Sequence, residues 1–280
     1  MPYKDLLVHL DDSKGCAKRI DAAVRLAAQH RAHLTGVYPI VEIPLLNYIR
    51  EQIPPDIRSS MDAEAKALAE AALKNFREAA ERGGVSYEAR TDHALDTTLT
   101  HVVSMHARYA DLVVLGHVKP AEPPYVGHHL PEEVVLASGR PALIVPYDWA
   151  PGTLGDWVVI AWDASREAAR AVSDAMPILE QAKSVLVVSI NPKSTPLGHG
   201  EVPGADIAVH LARHKVKVEV QSVETDEMEI GDAILSFACD RGCDLLVMGA
   251  YAHSRVRELI LGGATRTILK SMTLPVLTAH

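Results

Sequence analysis

Residues 158–179 read VVIAWDASREAARAVSDAMPIL, and residues 6–27 read LLVHLDDSKGCAKRIDAAVRLA. Each stretch is an apolar run that is followed by Asp, one further residue and Ser, and then by apolar residues at helical spacing. This order predicts a buried β-strand, a short turn and an amphipathic helix. Because the pattern occurs twice in one chain, we interpret the sequence as an internal duplication.

Two more segments recur, later in each copy. They are ADLVVLGH (110–117) with CDLLVMGA (243–250), and GRPALIVPY (139–147) with TLPVLTAH (273–280). The first copy is longer because it carries extra, proline-containing residues around positions 41–60. Residues 148–157 read DWAPGTLGDW, and their Pro and two Gly are typical of a hinge. We therefore predict two similar domains, at residues 1–150 and 151–280.

Each copy predicts strands that alternate with helices. In the second copy the predicted strands are Trp157–Ala161, Ser184–Ile190, 216–223, Leu245–Gly249 and Val276–Ala279, and the predicted helices are 166–181, 206–214, 231–241 and 264–271. Continuous Val, Ile and Leu runs are typical of parallel strands that are buried on both faces. We predict an α/β fold of two tandem doubly wound, Rossmann-like domains, each with a five-stranded parallel sheet and about four helices. Ligands of such sheets bind beyond the carboxyl ends of the strands.

Composition excludes several classes of protein. The formal net charge is −8, and each predicted domain carries −4, so neither has the basic field that nucleic-acid binding requires. No apolar run reaches the ~18 residues of a membrane span, and the first residues lack the pattern of a secretory signal. We expect a cytoplasmic protein. We also expect Cys16, Cys239 and Cys243 to be reduced thiols, with the last two as small buried side chains.

Two features of the second copy stand where a ligand would bind. Asp163 follows the first predicted strand, where a carboxylate can accept a hydrogen bond from a ribose hydroxyl or an adenine amine. The alternative is that Asp163 or Ser165 caps the helix that begins at Arg166. The second feature is a loop and helix start, GAYAHSRVRELILGGATRTIL at residues 249–269.

This loop predicts a phosphate site. Its glycines allow backbone N–H groups to approach an anion, and the following helix N-terminus adds partial positive charge. The side chains that would add donors or charge are Thr265, Arg255, Arg257 and Arg266. The alternative is a solvent-exposed loop with a glycine turn, in which Arg257 pairs with Glu258.

The first copy differs at the same place. Residues 117–139 read HVKPAEPPYVGHHLPEEVVLASG, so prolines replace the paired glycines, and Glu132 and Glu133 stand where the helix begins. This composition disfavours an anion. His117, His128 and His129 are candidate metal ligands, but adjacent loop histidines usually face solvent, so we predict no metal site. Neither copy contains a recognisable nucleophile or catalytic motif, which also argues against a hydrolase or transferase.

The chain resembles the universal stress protein family in its tandem two-domain form. The matching pieces are the Asp-x-Ser start of each copy, the DLLVMG strand, the glycine loop and the closing PVL strand. The resemblance covers nearly the whole chain, is strongest over residues 156–280 and is diffuse over 30–105. It implies an adenine nucleotide alpha hydrolase-like fold that binds ATP or ADP, with Mg²⁺ as an accompanying ion.

In nucleotide-binding members the loop reads Gly, two residues, Gly, nine residues, Gly, then Ser or Thr. Gly249 and Gly262 match the first and third glycines, whereas Ala252 replaces the second and Gly263 replaces the hydroxyl residue. Thr265 is the nearest hydroxyl that remains. The nucleotide-binding residues that the resemblance implies are Ala161, Asp163, Ile190, Met248, Gly249, Ala252, His253, Arg255, Gly262, Gly263, Ala264 and Thr265.

The resemblance also implies a function and an assembly. We expect a stress-response protein that binds an adenine nucleotide in its second domain and hydrolyses it slowly or not at all. The alternative is a regulatory or interaction module of the same fold that acts through protein partners. Because family members commonly dimerise through the last strand, PALIVP (141–146) and LPVLTAH (274–280) are the expected edges of an intramolecular pseudo-dimer or a homodimer.

Overall fold

A computed structural model describes residues 1–42, 53–117, 129–192, 203–250 and 263–280. The chain forms two compact units. One is Tyr3–Ser138, and the other is Gly139–His280 together with Met1–Pro2. We call them the N-terminal unit and the C-terminal unit.

The N-terminal unit is an α/β layer with four parallel strands in the order β3-β2-β1-β4. Its strands are β1 (Asp5–His9), β2 (His33–Glu42), β3 (Tyr87–Leu95) and β4 (Leu112–Gly116), and its described helices are α1 (Cys16–His30), α2 (Pro55–Gly83), α3 (Leu99–Ala107) and α4 (Leu130–Ser138). The order places β4 beside β1 and parallel to it, so the residues that follow these two strands share one edge of the sheet.

The C-terminal unit has the strand order β5-β10-β9-β6-β7-β8. Its strands are β5 (Ala142–Val145), β6 (Trp157–Ala161), β7 (Ser184–Ile190), β8 (Val218–Val223), β9 (Leu245–Gly249) and β10 (Val276–Ala279), and its described helices are α5 (Arg166–Leu179), α6 (Ala205–Arg213), α7 (Ile230–Asp240) and α8 (Gly263–Ser271). These bounds agree with the predicted elements to within two residues. The α/β fold with a mostly parallel sheet is confirmed.

Strand β5 differs from the expectation. It comes from the first copy of the repeat, but it belongs to the C-terminal unit and pairs with β10, with Leu143 opposite Leu277. This pairing is antiparallel, whereas the other strand pairs of both units in the described residues are parallel. The compact units therefore divide between Ser138 and Gly139, twelve residues before the predicted boundary at 150/151.

The apolar runs form the cores of both units, as predicted. The four residues of β4 before Gly116 and the first four residues of β9 are all buried. Helix α5 covers the sheet with one apolar face, which consists of Ala168, Ala171, Val172, Ala175, Ile178 and Leu179. None of the helices in the described ranges combines the length and the apolar character needed to cross a membrane.

The aspartate of each DLxVxG repeat has a structural role at the amino ends of the strands. Asp244 accepts hydrogen bonds from the backbone N–H groups of Gly155, Asp156 and Trp157 at 3.0, 3.2 and 3.0 Å. Asp111 does the same for Lys4 and Asp5 at 2.7 and 3.1 Å. Each carboxylate therefore fixes the chain that enters the neighbouring strand, at the end of the sheet opposite to the ligand edge.

Candidate functional site

The carboxyl ends of β6, β7 and β9 bring several of the predicted ligand residues to one edge. Ala161 ends β6 and lies opposite Met248 of β9, and Ile190 ends β7. Ala161 and Ile190 are half-buried, whereas Met248 is buried beneath the edge. The two half-buried apolar side chains are suited to contact a planar ring.

Hydrogen bonds fix the turns at this edge. Ser189 Oγ donates to the Trp162 carbonyl at 2.9 Å, and Trp162 N–H donates to the Val188 carbonyl at 2.9 Å. Asn191 exchanges hydrogen bonds of 2.7 and 2.8 Å with the backbone of Thr225. The ends of β6, β7 and β8 are therefore held in place without a ligand.

The sequence offers both Asp163 and Ser165 as the cap of helix α5, and the structure distinguishes between them. Ser165 is the N-cap of α5, because its Oγ accepts from Ala168 N–H at 3.1 Å. Asp163 Oδ1 accepts from Ser165 N–H at 2.9 Å, which is the sole hydrogen bond of Asp163 within the described part of the chain. Ala164 between them has φ 59°, a left-handed conformation that turns the chain from strand to helix. Asp163 itself is exposed, so its carboxylate is accessible to a ligand.

Gly249 allows the start of α5 to pack on the end of β9. A Cβ at this position would lie 2.5 Å from Ala168 N and 2.6 Å from the Glu167 carbonyl carbon. The next residue, Ala250, is also fixed: its N–H donates to the Ala279 carbonyl at 2.9 Å, and its carbonyl lies 3.0 Å from His280 Nδ1. The glycine that begins the predicted loop is therefore required by packing alone.

Helix α8 begins at Gly263, where the predicted phosphate site would lie. Gly263 is exposed, and a Cβ there would meet no atom of the described residues within 4 Å. Ala264 is half-buried, and Thr265 is only 5% exposed, so its hydroxyl is less accessible than the sequence suggested. The other predicted loop residues lie outside the described residues: Ala252, His253, Arg255, Arg257 and Gly262.

Sequence reasoning missed Glu167 as a feature of this edge. Its side chain is buried in the first turn of α5, against Gly249, and it forms an ion pair with the exposed Arg166. Burial raises the pKa of Glu167, but the hydrogen bond from Arg166, a backbone hydrogen bond and the nearby His280 together lower it below its usual value. The site thus contains a buried carboxylate whose charge Arg166 compensates.

The equivalent aspartate of the N-terminal unit, Asp11, has more partners than Asp163. Its Oδ1 accepts from Ser13 N–H and Oγ at 3.0 and 2.6 Å, and Arg19 Nη2 lies 2.8 Å from the same oxygen. His9 Nδ1 lies 3.8 Å from Oδ2. Burial raises the pKa of Asp11, but Arg19, His9 and the Ser13 hydrogen bond outweigh it and hold the pKa well below the usual range.

Alignment of the two copies shows why the units differ. The offset of 152 that aligns Asp11 with Asp163 places Ala161 at the position of His9 and Ala171 at the position of Arg19. His9 and Arg19 are buried, at 7% and 2% exposure. The difference between the copies at these two positions is the sequence signal for the buried cluster.

The cysteines, and the loop histidines that lie within the described residues, form no metal-binding cluster with one another. Cys239 is exposed, so the expectation of a buried side chain is wrong there, and Cys243 is half-buried with a pKa that burial and Asp244 raise to about 11. Burial also raises the pKa of Cys16. His128 lies outside the described residues, within which no group of three or more His, Cys, Asp or Glu side chains could hold a metal ion.

Comparisons with known proteins agree with the geometry. Residues 156–280 match the model of the universal stress protein family. Universal stress protein Slr1230 of Synechocystis sp. is 26% identical over 149 residues, and the alignment covers 52% of this chain and 49% of that relative. The chain therefore spans about half the length of this curated relative.

Solved structures with the same fold cover the whole chain. A universal stress protein from Archaeoglobus fulgidus DSM 4304 has a TM-score of 0.73 at 19% identity, over 98% of this chain and 97% of that one. A functionally unknown protein from Pseudomonas aeruginosa PAO1 has a TM-score of 0.57 at 14% identity, over 99% and 92%. These identities establish similarity of fold alone.

Proposed function

Because this chain belongs to the universal stress protein family through residues 156–280, we propose that its C-terminal unit binds an adenine nucleotide, ATP or ADP. The observation that carries the proposal is that the carboxylate of Asp163 is exposed and does not cap α5, because Ser165 is the cap. It stands at the carboxyl end of a parallel strand, where ligands of doubly wound sheets bind.

The described residues fit a nucleotide in part. Ala161 and Ile190 supply half-buried apolar walls for a base, and Asp163 supplies an acceptor for a ribose hydroxyl or an amine. Gly263 begins α8, and no atom of the described residues lies within 4 Å of where its Cβ would be, so these residues leave the helix N-terminus open to phosphate. Thr265 fits less well because it is buried. Among the described residues no side chain is placed as a catalytic base, so we expect hydrolysis to be slow or absent.

Isothermal titration tests the proposal. ATP and ADP are titrated into the protein with and without Mg²⁺, and we expect one nucleotide per chain. If no heat of binding appears with millimolar ATP or ADP in either condition, nucleotide binding is excluded. That result would favour the second candidate function, a module of the same fold that acts through protein partners, which the replacement of two loop-motif residues by Ala252 and Gly263 supports.

A matched pair of variants at Gly263 tests the position of the phosphates. Gly263→Asp places a negative charge at the first residue of α8, where it fits sterically and interacts favourably with the helix dipole. We expect Tm to stay unchanged or rise slightly, while ATP affinity falls at least about tenfold through charge repulsion. Gly263→Asn has the same size without the charge and should retain most of the affinity. Equal affinities of the two variants would contradict a phosphate site at this helix.

We also propose that the two copies of the repeat associate within one chain. The antiparallel pairing of β5 with β10, the last strands of the first and second copies, supports this proposal. Light scattering after size exclusion tests it: we expect the monomer mass of 30.3 kDa, and a species of twice that mass would favour a homodimer.

A further inference from the structure

We infer that Arg19 is an internal ligand of the N-terminal unit: its guanidinium lies beside the Asp11 carboxylate, whereas the aligned residue of the C-terminal unit, Ala171, brings no charge to Asp163. The inference rests on the proposed function only for the identity of the ligand that is kept out. It predicts one nucleotide per chain for a physical reason that does not involve the phosphate loop.

Arg19 lies on the face of α1 that is turned toward the sheet. Ala171, the aligned residue of α5, is fully buried, so this position faces the sheet in both units. In the C-terminal unit the residues at the two aligned positions, Ala161 and Ala171, are both small. In the N-terminal unit His9 and Arg19 replace them, and both are buried rather than turned toward solvent.

The contacts of the guanidinium differ from those at the aligned place in the C-terminal unit. A Cβ on Gly116 would lie 2.0 Å from Arg19 Nη1, so the guanidinium lies against the end of β4. At the aligned Gly249 the nearest atom is instead the backbone nitrogen of Ala168, at 2.5 Å. The Arg19 side chain thus fills the space between strand and helix that the helix backbone fills in the C-terminal unit.

The charges of Arg19 and Asp11 are coupled energetically because both groups lie in a buried cluster. Arg19 Nε and Nη2 are buried without a hydrogen-bond partner, although Nη2 is 2.8 Å from Asp11 Oδ1. The contact between Arg19 and Asp11 is a buried ion pair. Buried ion pairs of this kind are often no more stabilising than apolar residues of similar volume, but removal of one partner leaves an uncompensated charge. The loss of either Arg19 or Asp11 should therefore destabilise the folded N-terminal unit, because the remaining charge would be buried without its partner.

Chemical rescue tests the inference. Arg19→Ala introduces the residue of the second copy, leaves space beside Asp11 and removes the guanidinium that pairs with its carboxylate. We expect a lower Tm than that of the wild type and a rise of at least about 3 °C when millimolar methylguanidinium chloride is added. The matched control is Arg25→Ala, which removes an exposed arginine of the same helix that pairs with Asp21. Neither this variant nor the wild type should be stabilised by methylguanidinium.

A second variant keeps the test decisive if Arg19→Ala is too unstable to fold. Arg19→Ala with Asp11→Asn removes both charges, so we expect it to fold and to show no stabilisation by methylguanidinium. The inference is overturned if Arg19→Ala keeps the wild-type Tm, if methylguanidinium fails to raise it, or if the wild type binds two nucleotides per chain. The rescue itself involves no nucleotide, so it can succeed even where the proposed nucleotide binding fails.

Discussion

Mild acid should destabilise the N-terminal unit through two buried histidines. His9 and His30 are 7% and 4% exposed, and burial is the main cause that lowers the pKa of each from 6.5 to about 4. Arg19 lowers the pKa of His9 further, and Asp11 raises it only in part. Both side chains are therefore neutral in the folded protein at neutral pH.

The direction of this pH effect follows from the pH at which the unfolded and the folded chain each bind the proton. As pH falls through 6.5, the unfolded chain protonates these histidines, whereas the folded chain does not do so until about pH 4. The unfolded state thus binds more protons throughout this window, and the free energy of unfolding falls as pH falls. Between pH 7 and pH 5 the loss is about 2 kcal/mol for each histidine, or about 4 kcal/mol together.

Two carboxyl groups of the same unit with shifted pKa values behave differently in this pH window. The lowered pKa of Asp11 contributes stability that is lost only below its ordinary value of 3.8, outside the window. Burial raises the pKa of Glu132, which works in the opposite direction because the folded state then binds the additional proton as pH falls. The comparison of wild type with a histidine variant separates His9 from Glu132.

Urea titrations at pH 7 and pH 5 provide the assay. The three tryptophans, Trp149, Trp157 and Trp162, all lie in the C-terminal unit, so their emission reports on that unit while circular dichroism reports on both. We expect the loss in free energy of unfolding to appear in the transition that circular dichroism follows. His9→Ala introduces the residue of the second copy, and we expect it to reduce this loss by about half. If His9→Ala shows the same pH dependence as the wild type, or if the wild type shows none, then the assignment to buried neutral histidines is wrong.

Three substitutions in the C-terminal unit test how its ligand edge is held together. Ser165→Ala removes the N-cap of α5 and should lower the free energy of unfolding by about 1 kcal/mol in urea titrations followed by tryptophan emission; no change would contradict the cap. Gly249→Ala should cost about 1–3 kcal/mol because its Cβ would lie 2.5 Å from Ala168 N, and a variant as stable as the wild type would refute the close packing. Asp244→Ala leaves three backbone N–H groups without their acceptor and should cost about 3 kcal/mol, whereas Asp240→Ala, at the exposed end of α7, should change the midpoint little.

The strands and helices were predicted well because apolar runs and helix caps are patterns of residues that are adjacent in the sequence. The bounds of β6, β7, β9 and β10 follow from apolar runs that end in polar or small residues, and the start of α5 follows from its Ser cap. The position of β5 could not be predicted in this way. ALIV at Ala142–Val145 has the same composition in either unit, and its antiparallel partner, β10, lies more than 130 residues away. Strand pairing over such a separation depends on the packing of the whole unit.

The candidate site was predicted to the extent that strand ends determine it. Asp163, Ala161 and Ile190 lie at the same edge because parallel strands end together. The burial of Thr265 and of Glu167 was not predictable, since both depend on how α5 and α8 pack. Arg19 is the sharpest case: an arginine in an amphipathic helix usually faces solvent, so only the alanine of the other copy marks its position as buried.

Two differences at separate places in the chain distinguish the copies, and both lie in the N-terminal unit. One is the loop after β4, where prolines and two glutamates replace the paired glycines. The other is Arg19, which lies about one hundred residues earlier in the chain and fills the space beside Asp11. Either difference alone would weaken binding, yet both occur in the N-terminal unit, while the C-terminal unit keeps the alanines, the exposed aspartate and the paired glycines. If only the C-terminal unit binds a nucleotide, as we propose, neither position of the N-terminal unit has to accommodate a ligand, and both differences are compatible with that function.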